Sequence, residues 1–141
     1  MTTEPTLALQ KAIVAALKGN VPVTALIAQR VYDRVPDPAG LTFPYVRVGE
    51  DEDVPELAEC IDGSEVYATI HAFSRPERPP LGKTEVKRVA GAVKYVLHAA
   101  DLTLDENRLV LIEHYGTVFR TDPDGLTEHA IITFLARTEP L

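Results

Sequence analysis

The strand-forming segments of this chain carry large apolar side chains on both faces, and this pattern limits the folds available to it. In VYATIHAF, Val66 and Ile70 fall on one face while Tyr67 and Phe73 fall on the other, because side chains alternate along a strand. The same alternation groups Val110, Ile112 and Val118 against Leu109, Leu111, Tyr115 and Phe119, and Ile131 and Leu135 against Ile132 and Phe134. A sheet of such strands needs cover on both faces.

Two segments with helical periodicity are available to cover this sheet. The first, TLALQKAIVAALKGN, is apolar at Leu9, Ile13 and Leu17, and the second is EVKRVAGAVKYVLHAAD, with Thr6 and Thr84 as the predicted N-caps. Each would be about 22 Å long, so the two together cover about one face of a four-stranded sheet. The other face is therefore predicted to meet another sheet segment or another subunit. The alternative is that an acidic arm, residues 50–65, and a proline-rich loop, residues 75–84, fold over this second face.

Length, charge and cysteine content narrow the class of protein. The chain has 141 residues, which fits a single domain spanning 1–141. Its formal net charge of −7 would repel nucleic acid phosphates, so specific DNA or RNA binding is disfavoured. Cys60 is the only cysteine, which fits a reducing cytoplasm. The N-terminus does not resemble a signal peptide, and the longest apolar run is too short to cross a membrane.

An acidic segment and a proline-rich segment interrupt the regular patterns. Residues 50–65 contain eight carboxylates, and we predict a solvated loop or hairpin arm that closes at the turn formed by 62–64. Residues 75–84, RPERPPLGKT, are predicted to be a connector between a strand and the second helix. Weak binding of divalent cations by the acidic segment is the alternative to a purely solvated role.

The stretch TDPDG is predicted to be a turn between two strands. Proline presets the backbone at the first turn position and glycine accepts a positive φ at its end, while the flanking segments alternate like strands. A calcium loop would need a further acidic ligand and flanking helices, but only Asp122 and Asp124 precede Gly125. The hairpin interpretation is therefore preferred to a metal site.

No pattern of residues indicates catalysis, a cofactor or a metal. Of the four histidines, His71, His114 and His129 fall in predicted strands, but the closely spaced pair usual in a zinc site is missing. We therefore predict that they are surface or interface histidines. The sequence also lacks a nucleophile elbow, a phosphate-binding loop and a dinucleotide-binding glycine motif. We expect no catalytic, cofactor-binding or metal-binding residues.

Several segments, taken in order, resemble a known family. The most informative are VYDRVP, PYVRVGED, the strand ending in AFSR, and a D-x-D-G-x-x-x-H-A segment followed by FLARTE. Together they are similar to the tail-completion, or tail-terminator, proteins of long-tailed phages, prophages and gene transfer agents. The resemblance extends from about Leu7 to Thr138. The proline-rich connector of this chain, residues 75–84, is longer and stiffer than the family pattern. It is a candidate contact surface for a neighbouring ring.

The resemblance implies a structural protein and not an enzyme. The implied fold is α+β, with a mostly antiparallel sheet of about four or five strands and two main helices on one face. Such proteins form a ring, commonly a hexamer, at the head-proximal end of the tail tube. The ring ends tube polymerisation and joins the tail to the neck. The implied partners are copies of the chain, the major tail tube protein and a neck or stopper protein, while DNA passes through the lumen without specific binding. The implied location is the host cytoplasm during assembly and then the tail or neck of the particle.

The charged residues of the acidic segment and the connector are the candidates for a subunit interface or the lumen of such a ring. They are Glu50, Asp51, Glu52, Asp53, Glu56, Arg75 and Arg78. Two other functions remain open. One is a neck or head-closure ring protein, and the other is an oligomeric α+β domain that binds a small ligand in a pocket with convergent polar groups.

Overall fold

A computed structural model describes residues 4–58 and 61–141. The helices are α1 (Thr6–Gly19), α2 (Val21–Ile27) and α3 (Thr84–Leu97), with a short 3-10 helix at Pro38–Gly40. The strands are β1 (Val31–Tyr32), β2 (Tyr45–Ala58), β3 (Ile61–Ser74), β4 (Asn107–Thr121) and β5 (Glu128–Pro140).

The strands form a five-stranded sheet in the order β1-β2-β3-β5-β4. The β1–β2 pair is parallel, and the other three pairs are antiparallel. The long β2–β3 and β4–β5 hairpins place β3 and β5 side by side at the centre. The predicted α+β fold with a mostly antiparallel sheet is confirmed.

The helices pack against one face of this sheet, which we call the helix face. Ala68, Ile70, Ile132 and Phe134 of the central strands are almost completely buried there. They form a continuous apolar core with residues of all three helices, and the most buried helical side chains are Leu9, Ile13, Leu17, Val23, Ile27, Val86, Val89, Val93 and Leu97. The apolar spacing in α1 and α3 points these residues toward the sheet.

The opposite face, which we call the open face, is only partly covered. Tyr67, Ile131 and Leu135 of its central strands are half-buried. On β4 the side chains of Tyr115 and Val118 are 67% and 59% exposed. Apolar side chains thus lie on both faces of the sheet, and within the described part of the chain the helices cover one of them.

The face assignment predicted for β4 is wrong because β4 contains two irregularities. The register with β5 shifts between Leu109 and Leu111 and again between His114 and Gly116. Each extra residue reverses the alternation beyond it. Leu109 and Phe119 consequently pack against the core on the same side as Ile112, while Val118 is exposed on the other face.

Both predicted N-caps are also wrong. The caps are Pro5 and Lys83, and neither makes a capping hydrogen bond through its side chain. Thr6 and Thr84 are instead the first residues of their helices. The amide of Thr6 donates to Oε1 of Glu4 at 2.9 Å, so the free amide at this helix start is satisfied from outside the helix.

The two predicted turns have different outcomes. TDPDG does join β4 to β5, with a positive φ of 72° at Gly125 and a 2.9 Å hydrogen bond from its amide to the carbonyl of Asp122. The turn predicted at 62–64 is wrong, because Gly63 pairs with Glu56 and Ser64 with Pro55 inside the β2–β3 ladder. Residues 59 and 60, which include Cys60, lie outside the described residues.

Candidate functional site: the acidic strand and the connector groove

The acidic residues predicted to form an interface or lumen lie along β2, where the strand alternation divides them between two faces. Asp51 and Asp53 pair with Ala68 and Val66 and so share the helix face. Glu52 pairs with Tyr67 on the open face, and Glu50 and Glu56 contact partners on that same face. The structure therefore does not bring the five carboxylates into one cluster.

Glu50 is largely exposed, yet its carboxylate contacts a buried histidine. Its Oε1 lies 2.6 Å from Nε2 of His71, and a guanidinium nitrogen of Arg47 lies 3.6 Å away. The hydrogen bond with His71 is the largest of the effects that lower the pKa of Glu50. Glu50 follows Gly49, whose φ of 113° is accessible mainly to glycine, within an irregularity of the ladder between Val48 and Asp51.

Asp51 and Asp53 are the two acidic residues on the helix face. Burial raises the pKa of the Asp51 carboxyl, and a hydrogen bond with the backbone of Thr69 opposes this effect. The Oδ1 atom of Asp53 is buried without a hydrogen bond in the described structure. A buried acceptor that lacks a hydrogen bond lowers the stability of the fold.

Glu56 and Glu65 are joined by an arginine from β5. Nε of Arg137 lies 3.0 Å from Oε2 of Glu56, an ion-pair distance without hydrogen-bond geometry. Its Nη2 donates to Oε1 of Glu65 at 3.1 Å. Glu52 lies between these contacts and the Glu50 site, is exposed, and makes no ion pair or hydrogen bond with the described residues.

Arg75 begins the proline-rich connector and attaches it to the β4–β5 turn. Its Nη2 contacts Oδ2 of Asp124 at 3.1 Å, and Nε and Nη2 donate to Oγ1 of Thr127 at 3.2 and 2.8 Å. Its guanidinium also lies 4.7 Å from the centre of the Phe43 ring. Through these contacts Arg75 attaches the connector both to the β4–β5 turn and to the loop before β2.

Arg78 lies on an open groove between the connector, α3 and the loop before β2. The groove has a volume of about 810 Å³ and is lined by three arginines and two glutamates among prolines and apolar residues. Arg78 and Arg88 have no ion pair with the described residues. Arg75 lies at the end of the sheet where the β4–β5 turn is found. The acidic residues of β2 lie further along that strand, away from this end. Glu56 is eleven residues beyond Tyr45 on β2, about 36 Å along the strand.

Two of the histidines predicted to lie at the surface or at an interface are instead buried within the chain, so the surface prediction is wrong for them. His71 is 6% exposed and His129 is 5% exposed, and their ring atoms Nδ1 and Nε2 are 2.7 Å apart. Nδ1 of His129 is also 3.0 Å from Oδ1 of Asp122. The only sequence signal for this arrangement is that both histidines alternate with apolar helix-face residues. Their proximity depends on the β3–β5 pairing, which links positions 58 residues apart.

Nothing in the described residues forms a group of three or more metal-binding side chains. None of the described helices has both the length and the apolar character needed to cross a membrane.

Comparison with known families decides the relationship of this chain. The profile of the family described as Tail completion protein gp17 matches residues 11–139. The chain belongs to this family.

Solved structures share the fold of this tail completion family member. A chain from a structure titled "Virion of native gene transfer agent (GTA) particle" superposes with a TM-score of 0.86 and is 28% identical, covering 95% of this chain and 96% of its own. A second solved chain has a TM-score of 0.54 at 14% identity, with 96% and 93% covered, and supports the fold alone. No curated protein sequence matches the chain.

Proposed function

We propose that this chain forms a ring, with six copies as the expected number, at the head-proximal end of the tail tube of a phage or phage-like particle. There it ends polymerisation of the tube and joins the tail to the neck. The observation that carries the proposal is the match to the tail completion family over residues 11–139. The similar chain in a gene transfer agent virion supports a place for this chain in an assembled particle.

The open face supports a role in assembly. Its half-buried Tyr67, Ile131 and Leu135 and its exposed Tyr115 and Val118 form an apolar surface on a chain whose helices occupy the other side. Apolar patches with polar rims are typical of protein–protein contacts. Ring closure is a heterologous contact, so this face on one copy would meet a different surface on its neighbour or on the adjoining tube or neck protein.

The charged residues are assigned within this proposal as follows. The glutamates on the open face of β2, which are Glu50, Glu52 and Glu56, line the lumen, where negative charge keeps the DNA backbone from adhering as it passes. Asp51 and Asp53, on the other side of β2, contact a neighbouring subunit. Arg75 and Arg78, on the connector, contact the ring above or below.

The proposal places the chain in the host cytoplasm while the particle is assembled, and afterwards at the tail–neck junction. Its direct partners are further copies of itself, the major tail tube protein and the neck protein. Its activity consists of binding these partners, with no catalytic step.

The decisive experiment is a reconstruction of particles that carry a tagged copy of this chain. We expect a single ring of tagged density at the head-proximal end of the tube, and abnormally long tubes when the chain is omitted. A ring one layer nearer the head would instead identify a neck or head-closure protein. Tubes of normal length without the chain would contradict the proposed termination of polymerisation.

A further inference from the structure

Four side chains form a continuous series of close polar contacts across the open face. In order they are Glu50, His71, His129 and Asp122. Glu50 Oε1 is 2.6 Å from His71 Nε2, His71 Nδ1 is 2.7 Å from His129 Nε2, and His129 Nδ1 is 3.0 Å from Asp122 Oδ1. All three distances are those of hydrogen bonds.

Counting protons shows that this series is complete in only one state of charge. Three contacts need three bridging hydrogens, two ionised carboxylates supply none, and two neutral imidazoles supply one each. One additional proton on the histidine pair completes all three bonds. A second additional proton would place N–H groups on both sides of the His71–His129 contact and break it.

The contact that opens without the additional proton is the one to Glu50. His71 and His129 are fixed on paired strands and are buried, and the side chain of Asp122 is 21% exposed with Arg120 beside it. The side chain of Glu50 is 78% exposed. If His71 donates from Nδ1 to His129 and His129 donates from Nδ1 to Asp122, then Nε2 of His71 is left with a lone pair facing the Glu50 carboxylate.

We propose that His71 binds one proton at Nε2, that this proton holds the Glu50 carboxylate against the sheet, and that its loss releases Glu50 to solvent. In both states Nδ1 of His129 donates its hydrogen bond to Oδ1 of Asp122, and Nε2 of His129 accepts from Nδ1 of His71. Glu50 begins the acidic part of β2, next to the positive φ of Gly49. The protonation state of a buried histidine pair therefore controls the position of the first carboxylate on this strand.

The groups around the pair define the pH range of this change. The charged and titratable side chains that face it are Arg47, Glu50 and Tyr45 from β2, Arg120 from β4, Asp122 from the turn, and Arg75 from the start of the connector. Burial is the largest effect on the pKa of His71 and lowers it, while the bond to Glu50 acts in the opposite direction. Uptake of the proton is therefore expected as the pH falls below 6.5, the ordinary value for histidine.

Nitrogen NMR of the isolated chain tests the inference, because ¹⁵N shifts distinguish protonated from unprotonated ring nitrogens. We expect Nε2 of His71 to change from unprotonated to protonated as the pH falls from 8 to 4. Nδ1 of His129 should stay protonated and Nε2 of His129 unprotonated throughout. Protonation of Nε2 in His129 within this range, or no titration of His71 Nε2, would overturn the inference.

Two matched variants test the role of Glu50. Glu50→Gln removes the carboxylate that stabilises the charged ring, and we expect the midpoint for His71 to fall by about half a pH unit or more. Glu52→Gln removes the same charge from an exposed residue of the same strand that does not contact the pair, and should cause a clearly smaller shift. Equal shifts in the two variants would overturn the inference. The measurement needs no particle, so its outcome is independent of the proposed place in a ring.

Discussion

Nη2 of Arg75 lies 3.1 Å from Oδ2 of Asp124, so the first residue of the connector is attached to the turn between β4 and β5. The same guanidinium donates to Thr127 and lies over the Phe43 ring. Together these contacts hold three separate parts of the chain in place: the connector, the turn and the loop before β2.

Replacing Arg75 by alanine should therefore destabilise the fold. Loss of the hydrogen bonds to Thr127 and of the contact with Phe43 is expected to lower the free energy of unfolding by about 1–2 kcal/mol. Urea denaturation followed by circular dichroism provides the measurement. Arg78→Ala is the control from the same connector, with an expected change within about 0.5 kcal/mol. Equal effects of the two changes would show that the Arg75 contacts do not stabilise the chain.

Asp124 should make stability depend on pH in the acid range. Hydrogen bonds from the Thr127 hydroxyl, and then from the amides of Leu126 and Thr127, lower the pKa of Asp124 from 3.8 to about 2. A lowered pKa in the folded state means that this contribution is fully present above pH 3.8 and is lost as the pH falls toward 2. Denaturation of the wild type and of Asp124→Asn between pH 5 and 2 should show a shallower loss for the variant. Asp101→Asn removes a carboxylate from an exposed residue without changing the Asp124 contacts, and serves as the control. An equally shallow loss in both variants would contradict the role of the Asp124 hydrogen bonds.

Ile131 and Ile132 are neighbours on β5 whose side chains lie on opposite faces. Ile132→Ala removes a fully buried side chain from the core and should cost about 2–5 kcal/mol in the free energy of unfolding. Ile131→Ala, on the open face, should cost about 1 kcal/mol in the isolated chain. If the open face is an assembly contact, Ile131→Ala should nevertheless reduce incorporation into particles. Normal incorporation of a folded Ile131→Ala chain would argue that this part of the face meets no partner.

The strands show where sequence reasoning succeeds and where it fails. The faces of β3 and β5 follow the predicted alternation because the β3–β5 register is unbroken, and Ile70 and Ile132 pair with each other on the buried helix face. In β4 the irregularities near Val110 and Tyr115 reverse the alternation twice. Gly116, a glycine within a strand, is the only local signal for either of them. Hydrophobic pattern alone cannot position an extra residue in a ladder.

The contacts of the charged and ionisable residues are harder to predict, because their environment depends on strands distant in the sequence. The segment around Glu56 has the composition of a solvated loop, but pairing with β3 and contact with Arg137 of β5 allow it to remain a strand. His71 and His129 meet only because β3 and β5 are neighbours. Strand order within a sheet is a tertiary property, so local sequence does not reveal these contacts.

Reversing the charge of Glu52 tests whether β2 lines a DNA passage. Glu52 is exposed, and its side chain makes no ion pair or hydrogen bond with the described residues. Glu52→Lys should therefore leave the fold intact while placing a positive charge where DNA is proposed to pass. A lysine that attracts phosphates should slow DNA transfer, and the effect should weaken as the salt concentration rises. The measurement is the rate of DNA delivery by purified particles with complete rings.

Glu77→Lys is the control for this charge reversal. It makes the same change of charge at an exposed residue of the connector, outside the acidic part of β2, and should leave delivery unchanged. Slower delivery by both variants would indicate a general effect of net charge. Unchanged delivery by Glu52→Lys particles with normal rings would place the acidic strand away from the lumen, because a cation exposed to passing DNA cannot be without effect on a polyanion at low salt.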